Sequence, residues 1–309
     1  MQVTTIIPAY NAAEYVATAI ESALKQKAVP QQIVVIDDGS TDATLRVLAH
    51  FGKRIEVIRQ DNRGLSAARN AGIQAARGEM IAFLDADDVW CDDKLAKQVA
   101  ILLDNPEVAM VHSRTVSWDS TNGREDDFVK VPSHDYRLDC FSKLFQANAI
   151  CVSSVMVRRS CLQQIGGFDE LIVRPTTQDY DLWLRIAFQH RLEFIHEKGV
   201  LYRRHSSNAS KQIQMMLEDQ IYVIQKTLSY GYSRLQKELG RRQCWMRLAR
   251  LYFELGYWHY GLGEIEQARD YFRKSVRHGH CDSYSVLLAF LPKSCLARTS
   301  RRHRMNLSK

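Results

Sequence analysis

Apolar positions in the first 115 residues follow two alternating periods. Short β-branched runs at Thr4 to Pro8, Ile33 to Ile36, Ile55 to Ile58 and Met80 to Leu84 predict strands. Between them apolar residues recur at helical spacing: Val16, Ile20, Ala23 and Leu24 predict one helix, and Ala43 to Phe51, Leu65 to Ala76 and the set Leu95, Val99 and Leu102 predict three more. Asn11 followed by Glu14 predicts a capping box ahead of the first helix. Apolar strands about every 25 residues, with helices between them, predict a doubly wound, mainly parallel sheet covered on both faces. Ligands of such sheets sit at the carboxyl ends of the strands.

Beyond residue 115 the pattern changes twice. Residues 116–150 are more polar and irregular, and from about residue 215 the periodicity is helical throughout, which predicts an α/β domain over 1–212 and an α-helical region over 213–309. Within the second region Tyr252, Leu255, Gly256, Gly263, Ala268, Phe272 and Ser275 fall at the spacing of one tetratricopeptide-like helix pair, about 249–282. One such pair cannot bury its own apolar face, so a neighbouring element is expected against it.

Composition narrows the class. With 46% hydrophobic and 25% charged residues and six prolines, the chain can build a core and is neither disordered nor fibrous. No run approaches the roughly 18 apolar residues of a spanning helix, and no apolar leader with a basic flank opens the chain, so a cytoplasmic protein is expected. Seven scattered cysteines with no Cys-x-x-Cys pair predict reduced thiols rather than a disulfide frame or a zinc site. The net charge of +7 is uneven: residues 240–309 hold 14 Lys and Arg against 5 Asp and Glu, which leaves −2 for the first 239. Val286 to Leu291 followed by Lys293, Arg298, Arg301, Arg302 and Arg304 predicts a basic amphipathic tail. Such a tail suits an anionic membrane surface, which would place the protein peripherally on the inner face; packing on the helix pair is the competing reading. No nucleic-acid module is visible, and a protein partner bound through the helical region remains open.

Two acidic motifs carry candidate chemistry. Asp37-Asp38-Gly39-Ser40-Thr41-Asp42 follows the second strand, where Gly39 suits a difficult backbone angle, Ser40 or Thr41 could cap the next helix, and the carboxylates could accept from a base or ribose. Asp85-Ala86-Asp87-Asp88 ends the fourth strand. Repulsion within this cluster is costly unless a cation sits there, and hard oxygen donors favour Mn2+ or Mg2+; a helix cap by Asp88 or Asp92 accounts for one aspartate only.

These motifs, with Thr5 to Asn11, Asn62 to Gly72, Ile165-Gly166-Gly167-Phe168-Asp169-Glu170, Gln178 to Arg185 and Tyr202-Arg203-Arg204-His205, resemble those of family 2 glycosyltransferases over roughly residues 1–210. The resemblance implies a GT-A nucleotide-diphospho-sugar transferase fold, Rossmann-like, and inverting sugar transfer. It implies that Pro8, Tyr10 and Asp38 face the nucleotide base, that Arg69 holds base or diphosphate, that Asp85 contacts the ribose, that Asp87 ligands the metal and that Asp179 is the general base. Gln178 stands where the family has a second carboxylate beside that base. His205 could give a nitrogen to the metal or a donor to phosphate, and Arg203 and Arg204 suit diphosphate charge. Gly166 and Gly167 suit either an acceptor-side turn or a helix stop.

The expected partners are a nucleoside-diphosphate sugar, with UDP as the leading base, and a saccharide or lipid-linked saccharide acceptor in cell-surface polysaccharide or glycan biosynthesis. A non-catalytic sugar-nucleotide-binding or protein-interaction scaffold is the competing class. A dehydrogenase is excluded because Pro8-Ala9-Tyr10-Asn11 replaces the glycine-rich turn that a dinucleotide requires.

Overall fold

The computed structural model describes residues 2–28, 30–127, 140–172, 177–205, 213–279 and 283–290. The basic tail beyond residue 290, with Lys293 and the arginines after it, lies outside the described residues, as do Cys281 and Cys295. The chain divides into two compact units, Met1–Asn208 and Ala209–Lys309.

The first unit is α/β. Strands β1 (Val3–Ala9), β2 (Gln32–Asp38), β3 (Glu56–Gln60) and β4 (Met80–Phe83) alternate with helices α1 (Val16–Leu24), α2 (Thr44–Ala49) and α3 (Leu65–Ala75). All four strands pair in parallel, in the order β3-β2-β1-β4. The sheet continues with β5 (Val89–Trp90), β6 (Val108–Trp118), β7 (Glu125–Asp127), β8 (Val155–Arg158) and β9 (Arg191–Arg203). Here the pairing is mixed. Strand β8 is antiparallel between β4 and β6, while β6 and β9 are parallel to each other with register shifts near Ser113 and Arg114. The fold class predicted from the alternating pattern is present, and the parallel arrangement is confined to two stretches of the sheet.

Helices α4 (Lys94–Asp104), α5 (Phe141–Gln146), α6 (Arg159–Ile165) and α7 (Gln178–Gln189) complete this unit. Ile7, Ile20, Val35, Leu95, Val111 and Met156 are fully buried in one core cluster, so strands and helices distant in sequence share it. Gly72 on α3 lets that helix lie close on the sheet, because a Cβ there would come within 2.5 Å of Ile6.

Topology sets where the strand ends gather. Since β8 reverses relative to β4, and β6 reverses again, β6 and β9 run in the same direction as β1 and β4. The carboxyl ends of β1, β2, β4 and β9 and the start of β8 therefore lie along one edge of the sheet.

The second unit contains α8 (Ile213–Leu239), α9 (Arg241–Leu262), α10 (Ile265–Arg277) and α11 (Ser283–Phe290). Gly263 ends α9 in the left-handed conformation at φ +79°. Gly256 lets α10 approach, since a Cβ there would meet Phe272 at 2.8 Å, and the Ser275 hydroxyl donates to the Ala249 carbonyl at 2.8 Å. Helix α8 packs on α9, and α11 packs on α10. No helix among the described residues is long and apolar enough to cross a membrane. Cys91, Cys140, Cys151, Cys161 and Cys244 are free thiols.

Candidate active site

At the end of β1 the chain turns through Asn11, which adopts φ +48°, a conformation asparagine tolerates better than most residues. The predicted capping box does not form. Tyr15 is the N-cap residue of α1 and makes no side-chain cap, while Asn11 Oδ1 accepts from the Thr41 and Asp42 N–H groups at 2.8 and 3.3 Å. Asn11 thus bolts the first strand-end loop to the second. Asp42, rather than Ser40 or Thr41, receives the Thr44 N–H at the start of α2, at 2.9 Å. Gly39 is at φ +78°, and a Cβ on it would lie 2.8 Å from the Asn62 nitrogen, so the glycine is required on both counts.

Pro8 is buried in β1 opposite Ile36, beyond the last residue of β1 paired to β4, so its missing N–H interrupts no ladder on that side. Tyr10, two residues on, is 51% exposed. Asp38 accepts from Gln60 Nε2 at 2.7 Å and from the Arg63 and Gly64 N–H groups at 3.0 and 2.9 Å. Three of the roughly four acceptor positions of a carboxylate are thereby used to hold the turn that starts α3, which leaves one for a ligand.

The cluster after β4 divides three ways. Asp85 pairs with the buried Arg69 guanidinium at 2.6 Å. Asp88 is buried and accepts from the Ser153 hydroxyl at 2.5 Å and from the Arg203 N–H at 3.1 Å, and burial, with Asp87 and Asp85 nearby, holds its carboxyl well above the usual range. It caps no helix. Asp87 is left to meet His205, with Oδ2 and Nε2 2.9 Å apart. Burial and then the Asp85 charge raise the Asp87 carboxyl, while His205 opposes the shift.

Arg203 and Arg204 both touch protein groups. The Arg203 guanidinium lies against the Tyr15 and Trp118 rings, 5.1 and 4.5 Å from their centroids, and its Nε donates to the Asp87 carbonyl at 2.9 Å. Arg204 pairs with Asp126 at 3.1 Å. Arg69 differs from them in its surroundings. Its Nε and Nη1 are buried with no protein partner, and its guanidinium lies over the Phe168 ring at 5.2 Å.

Asp179 stands in the first turn of α7, consistent with the helix-start reading, and its carboxyl is also electrostatically linked to the site. The residue is partly open at its surface, yet its carboxyl is closely surrounded by protein. Burial raises it to about 6, against the pull of Arg69 and the Tyr180 N–H, with Asp85 adding to the rise. Burial thus raises this carboxyl although Gln178, and not a second carboxylate, stands beside it. Gly166 is the stop of α6 at φ +87°, while Gly167 makes the close approach: a Cβ there would lie 2.3 Å from Asn70 Oδ1. Asn70 Oδ1 also accepts the Phe168 N–H at 2.8 Å, and Arg185 donates to the Gly167 carbonyl at 2.7 Å while pairing with Asp181.

Ser153 escapes sequence reading. Its hydroxyl donates to Asp88 and accepts the Asp85 N–H at 3.0 Å, and its carbonyl accepts from Trp90 Nε1 at 2.7 Å. One buried side chain thus holds the Asp85 to Asp88 turn, and through Asp88 the β9 end that carries His205. The only signal was a Ser-Ser pair directly before Val155 to Val157. Ser153→Ala leaves buried groups unpaired and is expected to cost about 1–3 kcal/mol of stability. Denaturant melts and Mn2+-dependent nucleotide titrations should show lower stability and affinity in Ser153→Ala than in Ser153→Thr; equal values in the two variants would count against this holding role.

Among the described residues no group of three or more His, Cys, Asp and Glu side chains is arranged to hold a metal. The Asp87 and His205 pair still fits a divalent cation. Mg2+ and related ions are commonly held by one or two protein groups plus substrate phosphates, and a cation would relieve the charge that burial and Asp85 disfavour on Asp87.

An uncharacterized glycosyltransferase of Rickettsia felis is 32% identical over 68% of this chain and 35% of its own length. Chondroitin synthase of Escherichia coli is 30% identical over 75% of this chain and 34% of that protein. The chain thus spans about a third of the length of these relatives. S. aureus TarS 1-349 in complex with UDP-GlcNAc has a similar fold, with a TM-score of 0.65 and 16% identity over 99% of this chain and 89% of that one. The mannosyltransferase PcManGT from Pyrobaculum calidifontis, in complex with GDP-Man and Mn2+, has a TM-score of 0.57 and 17% identity over 98% of this chain and 87% of that one. Residues 4–166, more than half of the chain, match the family described as glycosyl transferase family 2, and to that family of glycosyltransferases the chain belongs.

Proposed function

We propose that the protein is an inverting hexosyl- or related transferase that moves a sugar from a UDP-linked donor to a saccharide or lipid-linked saccharide acceptor in polysaccharide or glycan biosynthesis. The observation that carries this reading is Asp179: a carboxyl raised to about 6 by burial, within the electrostatic reach of Arg69 and Asp85. Such a group is ionised near neutrality and still basic enough to take a proton. In an in-line displacement it removes the proton of the acceptor hydroxyl as that oxygen attacks the anomeric carbon. No covalent enzyme intermediate is needed. Tyr10 offers an open ring to the base, Asp38 its remaining acceptor position, Asp85 the ribose contact, and Arg69 two unpartnered N–H groups to the leaving diphosphate. Asp87 and His205 would hold Mn2+ or Mg2+, which when bound supplies positive charge to the departing diphosphate.

The proteins of similar fold named above were solved with UDP-GlcNAc in one case and with GDP-Man and Mn2+ in the other, which supports a nucleotide-sugar donor and leaves the base as the point to test. A thermal-shift panel of UDP, GDP and dTDP with Mn2+ is expected to single out UDP. A ligand at 100 times its Kd adds about 2.7 kcal/mol, on the order of 5–10 °C for a unit of about 200 residues. A shift with GDP alone would replace the base, and no shift with any nucleotide would overturn the reading.

A further inference from the structure

The helical unit has an open surface pocket of about 640 Å³ lined by Arg241, Arg242 and Trp245 of α9 together with Arg277, His278 and Gly279 at the end of α10. That size falls in the range of small-molecule sites. Among the described residues its lining contains no carboxylate, and none of its three arginines has an ion-pair partner. Two other cations of the same unit are ion-paired, Arg234 with Glu238 at 2.6 Å and Lys274 with Asp270 at 2.8 Å. Like charges gathered at one pocket repel each other, and a bound anion relieves that repulsion.

The wall is held in place as well as charged. His278 Nδ1 donates to the Lys274 carbonyl at 2.7 Å, which fixes the ring and leaves Nε2 as its free edge. The Trp245 ring lies 5.8 Å from His278 and 5.8 Å from Tyr232, and His278 lies 5.3 Å from Tyr252. Two features are thus combined: guanidinium forks that match phosphate oxygens bidentately, and an indole face on which an apolar or ring-shaped group can rest.

We propose that this pocket is an anion site that takes a phosphate group borne on a saccharide or a lipid. The site is separate from the residues that serve sugar transfer, so its function can fail while theirs stands.

The test uses the full chain and a variant carrying Arg241→Ala, Arg242→Ala and Arg277→Ala, all three at exposed positions where truncation should leave the fold intact. Trp245→Phe serves as a second variant that keeps the charge. One arm titrates glucose 1-phosphate by calorimetry in EDTA; the other sediments the protein with phosphatidylglycerol and phosphatidylcholine vesicles, at low and high salt. The parent is expected to bind glucose 1-phosphate saturably, at least tenfold tighter than the triple variant and more weakly at high salt, with Trp245→Phe between the two. If a lipid supplies the phosphate, the parent sediments with phosphatidylglycerol vesicles, the triple variant does not, and glucose 1-phosphate competes. Equal behaviour of parent and triple variant in both arms, or binding by neither, overturns the proposal, as does a single-stranded oligonucleotide that outcompetes glucose 1-phosphate at these residues.

Discussion

Asp87→Asn is expected to abolish metal-dependent nucleotide binding and to lower sugar transfer on the order of 10³-fold. The prediction rests on how the three aspartates after β4 are used. Asp85 is paired with Arg69, and Asp88 is buried against Ser153 and Arg203, so neither substitutes for the carboxylate that stands 2.9 Å from His205. Asparagine keeps the shape and one oxygen but removes the charge that a hard cation requires. Stability should separate this effect from unfolding. Burial and Asp85 disfavour the charge on Asp87, so the neutral variant should melt no lower than the parent. Mn2+ titration followed by electron paramagnetic resonance reads binding directly, without turnover. Full activity in the variant, or parent activity undiminished in EDTA, would remove the metal role.

A second large effect is expected at Asp179. Asp179→Asn should lower kcat by about 10² to 10⁴ while leaving donor affinity little changed, because it removes a proton acceptor and not a donor contact. The pH profile adds a signature that a structural role would not produce. With the carboxyl raised to about 6, parent kcat/KM should climb as pH rises through about 6 and then level off, and the variant should lack that limb. Stability runs the other way. The folded-state value lies above the ordinary 3.8, so between roughly pH 4 and 6 the native state binds more protons than the unfolded chain, and stability falls as pH rises through that window. Relative to Asp179→Asn the parent should therefore lose stability from pH 4 to pH 6. A collapse of donor affinity in the variant would instead make Asp179 a binding residue.

What could be read from the sequence alone was whatever depends on short range. The short β-branched runs and the helical spacings placed β1 to β4 and α1 to α3 within a few residues, because burial on both faces of the sheet at β1, β2 and β4 forces near-continuous apolar strands. The helix pair at α9 and α10 was visible in Gly256, Ala268, Phe272 and Ser275, whose spacing follows from the close packing of two helices. The antiparallel strand β8 and the long β6 and β9 escaped that reading. They pair with partners about 45 to 112 residues away, and the β6 to β9 pairing is broken by register shifts.

The site divides along the same line. Local acidic motifs at strand ends brought forward Asp38, Asp85 and Asp87, and His205 stood out in the loop motif after Tyr202, while Arg69 and Asp179 came forward only through the resemblance to family 2 glycosyltransferases. The sequence could not say which carboxylate is paired, buried or left for a ligand. That was decided only when β9 returned beside the strand ends: Arg203 then satisfied Asp88, His205 came to Asp87, and Ser153 tied Asp88 to the Asp85 N–H. The charge state of a carboxylate depends on burial and on charges within a few ångströms. Those neighbours lie 65 to 118 residues away along the chain, so only the tertiary fold could bring them together.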